Sequence, residues 1–121
     1  MADCQASVLI VDDDVDARES LCALLETEGY SVRAAGDGEE ALRILRASGA
    51  CIVVLDIFMP VMNGFEFLTE KARDPGLAEL PVVVLSADVT AVRRAQREGV
   101  LVALTKPVDH ERLLQVIREY C

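Results

Sequence analysis

Five short apolar runs recur along the chain: Val8-Leu9-Ile10-Val11, Val32 to Ala35 interrupted by Arg33, Ile52-Val53-Val54-Leu55, Val82-Val83-Val84-Leu85 and Leu101-Val102-Ala103-Leu104. The first, third and fourth are continuous and rich in β-branched residues. A sheet with one wet face would alternate apolar and polar positions, whereas strands covered on both faces read as unbroken apolar runs. Helical periodicity fills the gaps. Ala17, Leu21, Leu24 and Leu25 share one helical face, and Gly29 stands where a helix C-terminus uses glycine. Asp37-Gly38-Glu39-Glu40 reads as a capping box ahead of Ala41, Leu42 and Leu45, with that helix ending near Gly49. A third helix is expected from about Gly64, with Phe65, Leu68 and Ala72 on one face, stopping before Pro75-Gly76. A fourth runs from about Thr90 to Glu98 on a thin face of Val92 and Ala95. The last starts near His110 and carries Leu113, Leu114, Ile117 and Tyr120.

Strand and helix therefore alternate five times. Right-handed crossovers between parallel strands then place helices on both sides of an open sheet, an α/β doubly wound architecture. Five strands fit the flavodoxin-like (βα)5 order 2-1-3-4-5 better than the six-stranded dinucleotide-binding order. The first strand also leads into Asp12-Asp13-Asp14, where a pyrophosphate site would need glycines, and no GxxxxGK[ST] run exists.

The length of 121 residues accommodates one domain, spanning 1–121, large enough to bury roughly two-thirds of its extended surface without disulfide or structural metal. Twelve basic against 21 acidic residues leave a net charge of −9, which opposes nucleic acid as a partner of this domain alone. Ala50 to Leu55 is the longest apolar stretch, too short to span a bilayer, and Met1 to Gln5 does not read as a secretory signal; the expected location is the cytoplasm. Under the reducing conditions that follow, Cys22 and Cys51 read as small buried hydrophobes and Cys4 and Cys121 as incidental, since no CxxC pair or Cys/His cluster is present.

In open α/β sheets ligands bind beyond the carboxyl ends of the strands, so the residues that follow each run carry the chemistry. They are Asp12-Asp13, Asp56, Ser86-Ala87 and Thr105-Lys106-Pro107. With the first and third strands adjacent, three carboxylates crowd together, and their repulsion calls for a shared hard cation, of which magnesium is the natural one. Asp56 would keep an oxygen able to attack an electrophile, with Lys106 and the Ser86 hydroxyl reaching in opposite. The matching electrophile is a phosphoryl group, whose equatorial charge needs such a set of contacts.

This constellation resembles the receiver domain of bacterial two-component response regulators. Val8 to Asp13, Asp56-Ile57-Phe58-Met59-Pro60-Val61-Met62-Asn63-Gly64, Leu85-Ser86-Ala87 and Thr105-Lys106-Pro107 carry the likeness, which extends over nearly the whole chain. The resemblance implies that Asp56 is the phosphoacceptor. It implies that Asp13 and Asp56 bind Mg2+ directly, Asp12 through a metal-bound water, and Phe58 through its backbone carbonyl. Ser86 becomes the hydroxyl that closes on the phosphoryl group and Lys106 its cationic partner, with a cis Lys106-Pro107 bond. The implied partners are a sensor histidine kinase or histidine phosphotransfer protein as donor, and an output partner or effector domain reached through the face of the fourth helix, fifth strand and fifth helix, which can also support a homodimer. The chain would catalyse only its own phosphorylation and dephosphorylation. The likeness departs at Ala103, where the family often has an aromatic whose rotamer reports phosphorylation. Phe58 and Asp88 flank the path of a hydrolytic water and would act on its rate in opposite directions.

The same residues suit other readings. Asp12, Asp13, Asp14 and Asp16 also suit a solvated helix-capping turn, and Lys106 an ordinary surface lysine. An EF-hand fails at Ala17 and Ala23. A magnesium-dependent phosphatase of the haloacid dehalogenase type needs an acid two residues after its nucleophile, where Phe58 stands. His110 builds no catalytic triad, and Arg93, Arg94 and Arg97 form a basic strip in an acidic chain, read first as solvated surface. The alternative kept open is a receiver-like interaction module that works without phosphorylation.

Overall fold

A computed structural model describes residues 7–59 and 61–121. Five parallel strands, β1 (Val8–Val11), β2 (Val32–Ala35), β3 (Ile52–Asp56), β4 (Val82–Ser86) and β5 (Val102–Thr105), lie in the order β2-β1-β3-β4-β5. They alternate with α1 (Val15–Thr27), α2 (Gly38–Ser48), α3 (Gly64–Arg73), α4 (Val89–Gln96) and α5 (His110–Tyr120). The architecture is the expected flavodoxin-like one. Cys4 and the rest of the N-terminal segment lie outside the described residues, as does Pro60. Among the described residues no helix is long and apolar enough to cross a membrane.

The continuous apolar runs have a direct structural reason. Successive strand residues point to opposite faces, and here both faces are covered. Leu9, Val11, Val53 and Leu55 pack with α2, α3 and α4 through residues such as Leu42, Phe67 and Val92. Val8, Ile10, Ile52 and Val54 pack on the other side with Leu21 and Leu25 of α1 and Leu113, Leu114 and Ile117 of α5. All four residues of β1 are wholly buried. Each fully buried side chain of this size contributes about 1.5–3 kcal/mol.

The structure corrects the sequence reading in three places. On α3 the buried face is Gly64, Phe67, Leu68 and Lys71, while Ala72 is exposed and Phe65 half-buried. A lysine joins the apolar face because its Nζ donates to the carbonyl of Ala78 at 3.0 Å; burial lowers its pKa, with Glu79 opposing. The capping box also moves. Asp37 accepts from the N–H of Glu40, but the Glu40 carboxylate accepts from Gly36 rather than from its own cap. The reciprocal pair forms instead at Asn63 and Glu66, which opens α3. Finally, Cys51 and Cys121 are neither a buried hydrophobe nor incidental: they are joined in a disulfide across 70 residues, with their Cα atoms 5.6 Å apart. Only the fold could bring together two residues so far apart in sequence.

At the start of α3 the backbone is tightly packed. The N–H of Gly64 donates to the carbonyl of Ile57 at 2.7 Å, and that of Gly38 to Met62 at 3.0 Å. A Cβ on Gly64 would sit 2.8 Å from the Cα of Ile57 and 3.1 Å from the carbonyl oxygen of Asp56. Backbone cannot yield as a side chain can. In the loop from β3 to α3, Val61 holds a φ of 65°, a left-handed conformation costly for a β-branched residue. Gly64→Ala is therefore expected to lower stability by about 1–3 kcal/mol, and Val61→Asn to raise it by about 1 kcal/mol. Urea unfolding of both variants checks the opposite signs.

Candidate functional site

Strand register positions the site. Val11 pairs with Leu55, so the residues that follow each, Asp12 and Asp56, leave the sheet side by side. On the other flank Ser86 pairs with Thr105, and the N–H of Lys106 donates to the carbonyl of Ser86 at 2.8 Å. Asp56 and Ser86 are themselves the last residues of β3 and β4.

Carboxylate oxygens of Asp12, Asp13 and Asp56 all lie within 4.8 Å of one another. Asp12 is buried, Asp56 half-buried and Asp13 exposed. The Lys106 ammonium sits 3.7 Å from both Asp12 and Asp56, which identifies it as the cation of the cluster and not as an ordinary surface lysine. Three carboxylates and one ammonium still leave excess negative charge. Burial is the main reason the carboxyl of Asp56 is raised from 3.8 to about 6. Lys106 and the N–H of Ile57 oppose that rise, whereas Asp12 and Asp13 add to it. A compact set of carboxylate oxygens with uncompensated charge is the donor set that a small divalent cation such as Mg2+ takes.

The acidic turn divides its work. Asp14 is the N-cap of α1 and accepts from the N–H groups of Asp16 and Ala17, so the capping reading holds for Asp14, while Asp12 and Asp13 face the cluster. Asp12 is fixed twice over: its side chain accepts from the N–H of Asp14 at 2.9 Å, and its carbonyl from the Arg18 guanidinium at 2.8 Å. Arg18 was not foreseen, and no sequence signal marks it, because a contact six residues apart across a strand-to-helix turn belongs to no regular pattern.

Ser86 is 1% exposed. Its hydroxyl accepts from the N–H of Asp88 at 3.1 Å, which leaves its own proton for another acceptor. Asp88 is the N-cap of α4 and is engaged by Thr90 and Ala91. Phe58 stands 57% exposed at the rim. The Lys106-Pro107 bond is cis, as expected. Ala103 is buried in β5. His110 is exposed and lines a cavity of about 200 Å³ between α1 and the loop from β5 to α5. Arg94 is more than solvated surface, since its guanidinium lies 3.8 Å above the ring of Phe65.

The family model of the response regulator receiver domain matches residues 8–118. The chain belongs to that family. Its relatives include an uncharacterized 14.6 kDa protein of Leptolyngbya boryana, 38% identical over 97% of this chain and 91% of the relative. Protein PilH of Pseudomonas aeruginosa is 33% identical over 93% of this chain and 94% of its own. Among solved structures, the chemotaxis protein CheY4 of Vibrio cholerae superposes with a TM-score of 0.85 at 29% identity, covering 98% of this chain and 100% of that one. The chain is thus a receiver domain of two-component phosphorelay signalling rather than an enzyme of the usual kind.

The raised carboxyl of Asp56 carries a pH signature. A group that holds its proton more tightly in the native state contributes stability below pH 3.8 that is lost as pH rises through about 6. In metal-free buffer Asp56→Asn is therefore expected to melt at a higher temperature than the native chain above pH 6. The gain should shrink toward zero below pH 4. Thermal melts across that range in a chelating buffer check it.

Proposed function

We propose that Asp56 accepts a phosphoryl group from a phosphohistidine of a sensor histidine kinase or histidine phosphotransfer protein. The arrangement that carries this reading is Lys106 set equally between Asp12 and Asp56 within a three-carboxylate cluster, in a chain of the receiver family. A carboxylate oxygen of Asp56 attacks phosphorus as the P–N bond to the donor imidazole breaks, and the bonding pair leaves with the nitrogen. Asp12, Asp13, Asp56 and the backbone carbonyl of Phe58 would hold Mg2+. When bound, the ion supplies positive charge against the phosphoryl oxygens.

The chain's own groups do the rest. Lys106 neutralises one phosphoryl oxygen and holds Asp56 in place beforehand. Ser86 donates its hydroxyl proton to another oxygen, drawing the end of β4 and the start of α4 toward the site. Lys106 leads within four residues into α5, so both helices of the α4-β5-α5 face start beside groups that contact the phosphoryl. That face is the surface we assign to the output partner or effector domain, and to a homodimer. We place the chain in the cytoplasm, where kinase and receiver meet. The chain turns over no external substrate and catalyses only the gain and loss of its own phosphoryl group. The small, buried Ala103 favours one other reading, an interaction module that does not use phosphorylation, because alanine has no rotamer with which to report the event.

Intact mass after incubation with acetyl phosphate separates the two. A single Mg2+-dependent phosphoryl increment on the native chain, absent from Asp56→Asn, is the expected result. No increment under conditions in which Mg2+ binding is shown separately would favour the module. Lys106→Ala is expected to retain phosphorylation at a rate lowered by roughly tenfold or more, having lost a preorganised cationic contact.

A further inference from the structure

The cysteine pair is the feature that the phosphoryl site leaves unexplained. Cys51 immediately precedes β3, a strand interior to the sheet, and is half-buried against the layer formed by α1 and α5. Cys121 caps the C-terminal end of α5 and is exposed. Their Cα separation of 5.6 Å falls where disulfides form without moving the backbone. Leu113 and Leu114 anchor the earlier turns of α5 and Ile117 the start of its last turn. Beyond Ile117 the hold is weaker, since Tyr120 is 44% exposed and the ion pair of Arg118 with Glu28 spans 3.7 Å at the surface. A redox role for this pair rests on the cytoplasmic placement proposed above, since disulfides in cytosolic proteins are usually transient and redox-sensing rather than structural.

We propose that Cys51 and Cys121 form a reversible redox clamp on α5, closed by low-molecular-weight disulfides such as oxidised glutathione and opened by the corresponding thiols. Closure follows thiol–disulfide exchange. The exposed Cys121, as thiolate, attacks glutathione disulfide and expels one glutathione thiolate, leaving a mixed disulfide. The Cys51 thiolate then attacks the sulfur of Cys121 and expels the second. Two electrons pass from the protein sulfurs to the glutathione pair, and the two cysteine protons end on the two glutathione thiols. Cys22 is a poor participant, because burial and then the neighbouring Glu26 push its thiol pKa up. Closed, the clamp fastens the C-terminal end of α5 to the base of β3; open, that end is held by Ile117 and the weaker surface contacts alone. The other end of the same helix begins just beyond Lys106, so the redox state and the acidic cluster act on opposite ends of one element. The clamp itself requires no phosphoryl chemistry.

The test equilibrates the native chain, Cys51→Ser, Cys121→Ser and Cys22→Ser in glutathione buffers from fully reduced to fully oxidised, then alkylates free thiols with iodoacetamide in denaturant and reads intact mass. The sequence holds four cysteines, so the native chain is expected to pass from four labels to two in a single transition, with peptide mapping joining Cys51 to Cys121. Cys22→Ser should keep the transition and the other two variants lose it. The closed native form should melt roughly 10 °C above the open form, a difference absent from Cys51→Ser and Cys121→Ser. Four labels in every buffer, glutathione retained on Cys121 as a stable mixed disulfide, or two labels persisting under full reduction would each overturn the proposal, the last by making the bond permanent. None of these readouts depends on whether Asp56 is phosphorylated.

Discussion

The repulsion among Asp12, Asp13 and Asp56 is the constraint around which the molecule is arranged. Parallel strands in register deliver Asp12 and Asp56 to the same edge of the sheet, and nothing in the backbone permits them to separate. Burial sharpens the cost of that charge, and a few contacts work against it. Lys106 is set at equal distance from two of the three, and Asp12 is fixed by an N–H on one side and a guanidinium beneath. The protein thus stores an electrostatic imbalance in a rigid frame. Asp12 cannot simply turn away, so a cation held among the carboxylates would act on a frame already fixed in place.

Helix capping is interleaved with this arrangement. Asp14 caps α1, Asn63 caps α3, Asp88 caps α4 and Asp109 caps α5, so four of the loops that follow strands or border the site each commit one side chain to a helix start. The residues left over at the strand ends are the ones available for chemistry. In the acidic turn this distinction lies between neighbours: Asp14 holds the helix while Asp12 and Asp13 face the cluster.

Much of this was legible before any coordinates. Buried parallel strands announce themselves as unbroken apolar runs, and a parallel sheet places its chemistry immediately after them, so Asp12, Asp56, Ser86 and Lys106 could be picked out by position. The rest required the third dimension. The apolar pattern misplaces the rotation of α3 because Lys71 occupies its buried face, where the carbonyl of Ala78 and the charge of Glu79 make that burial tolerable. Both Asp37-Gly38-Glu39-Glu40 and Asn63-Gly64-Phe65-Glu66 match a capping-box pattern, but Glu40 turns instead to the N–H of Gly36. Nothing local marks Arg18 as a support for Asp12 or Cys51 as the mate of Cys121, because each pairing exists only once the chain has folded.

The division of the core into two layers has a further meaning. Alternate residues of one strand serve different layers, so the sheet is a partition: Leu9 and Val11 belong to one compartment and Val8 and Ile10 to the other. The side chains of the two compartments meet only through the strands they share. At β5 the partition reaches its edge, and there a helix from each compartment, α4 from one and α5 from the other, borders a single strand. A binding partner seated across that edge would touch both compartments together.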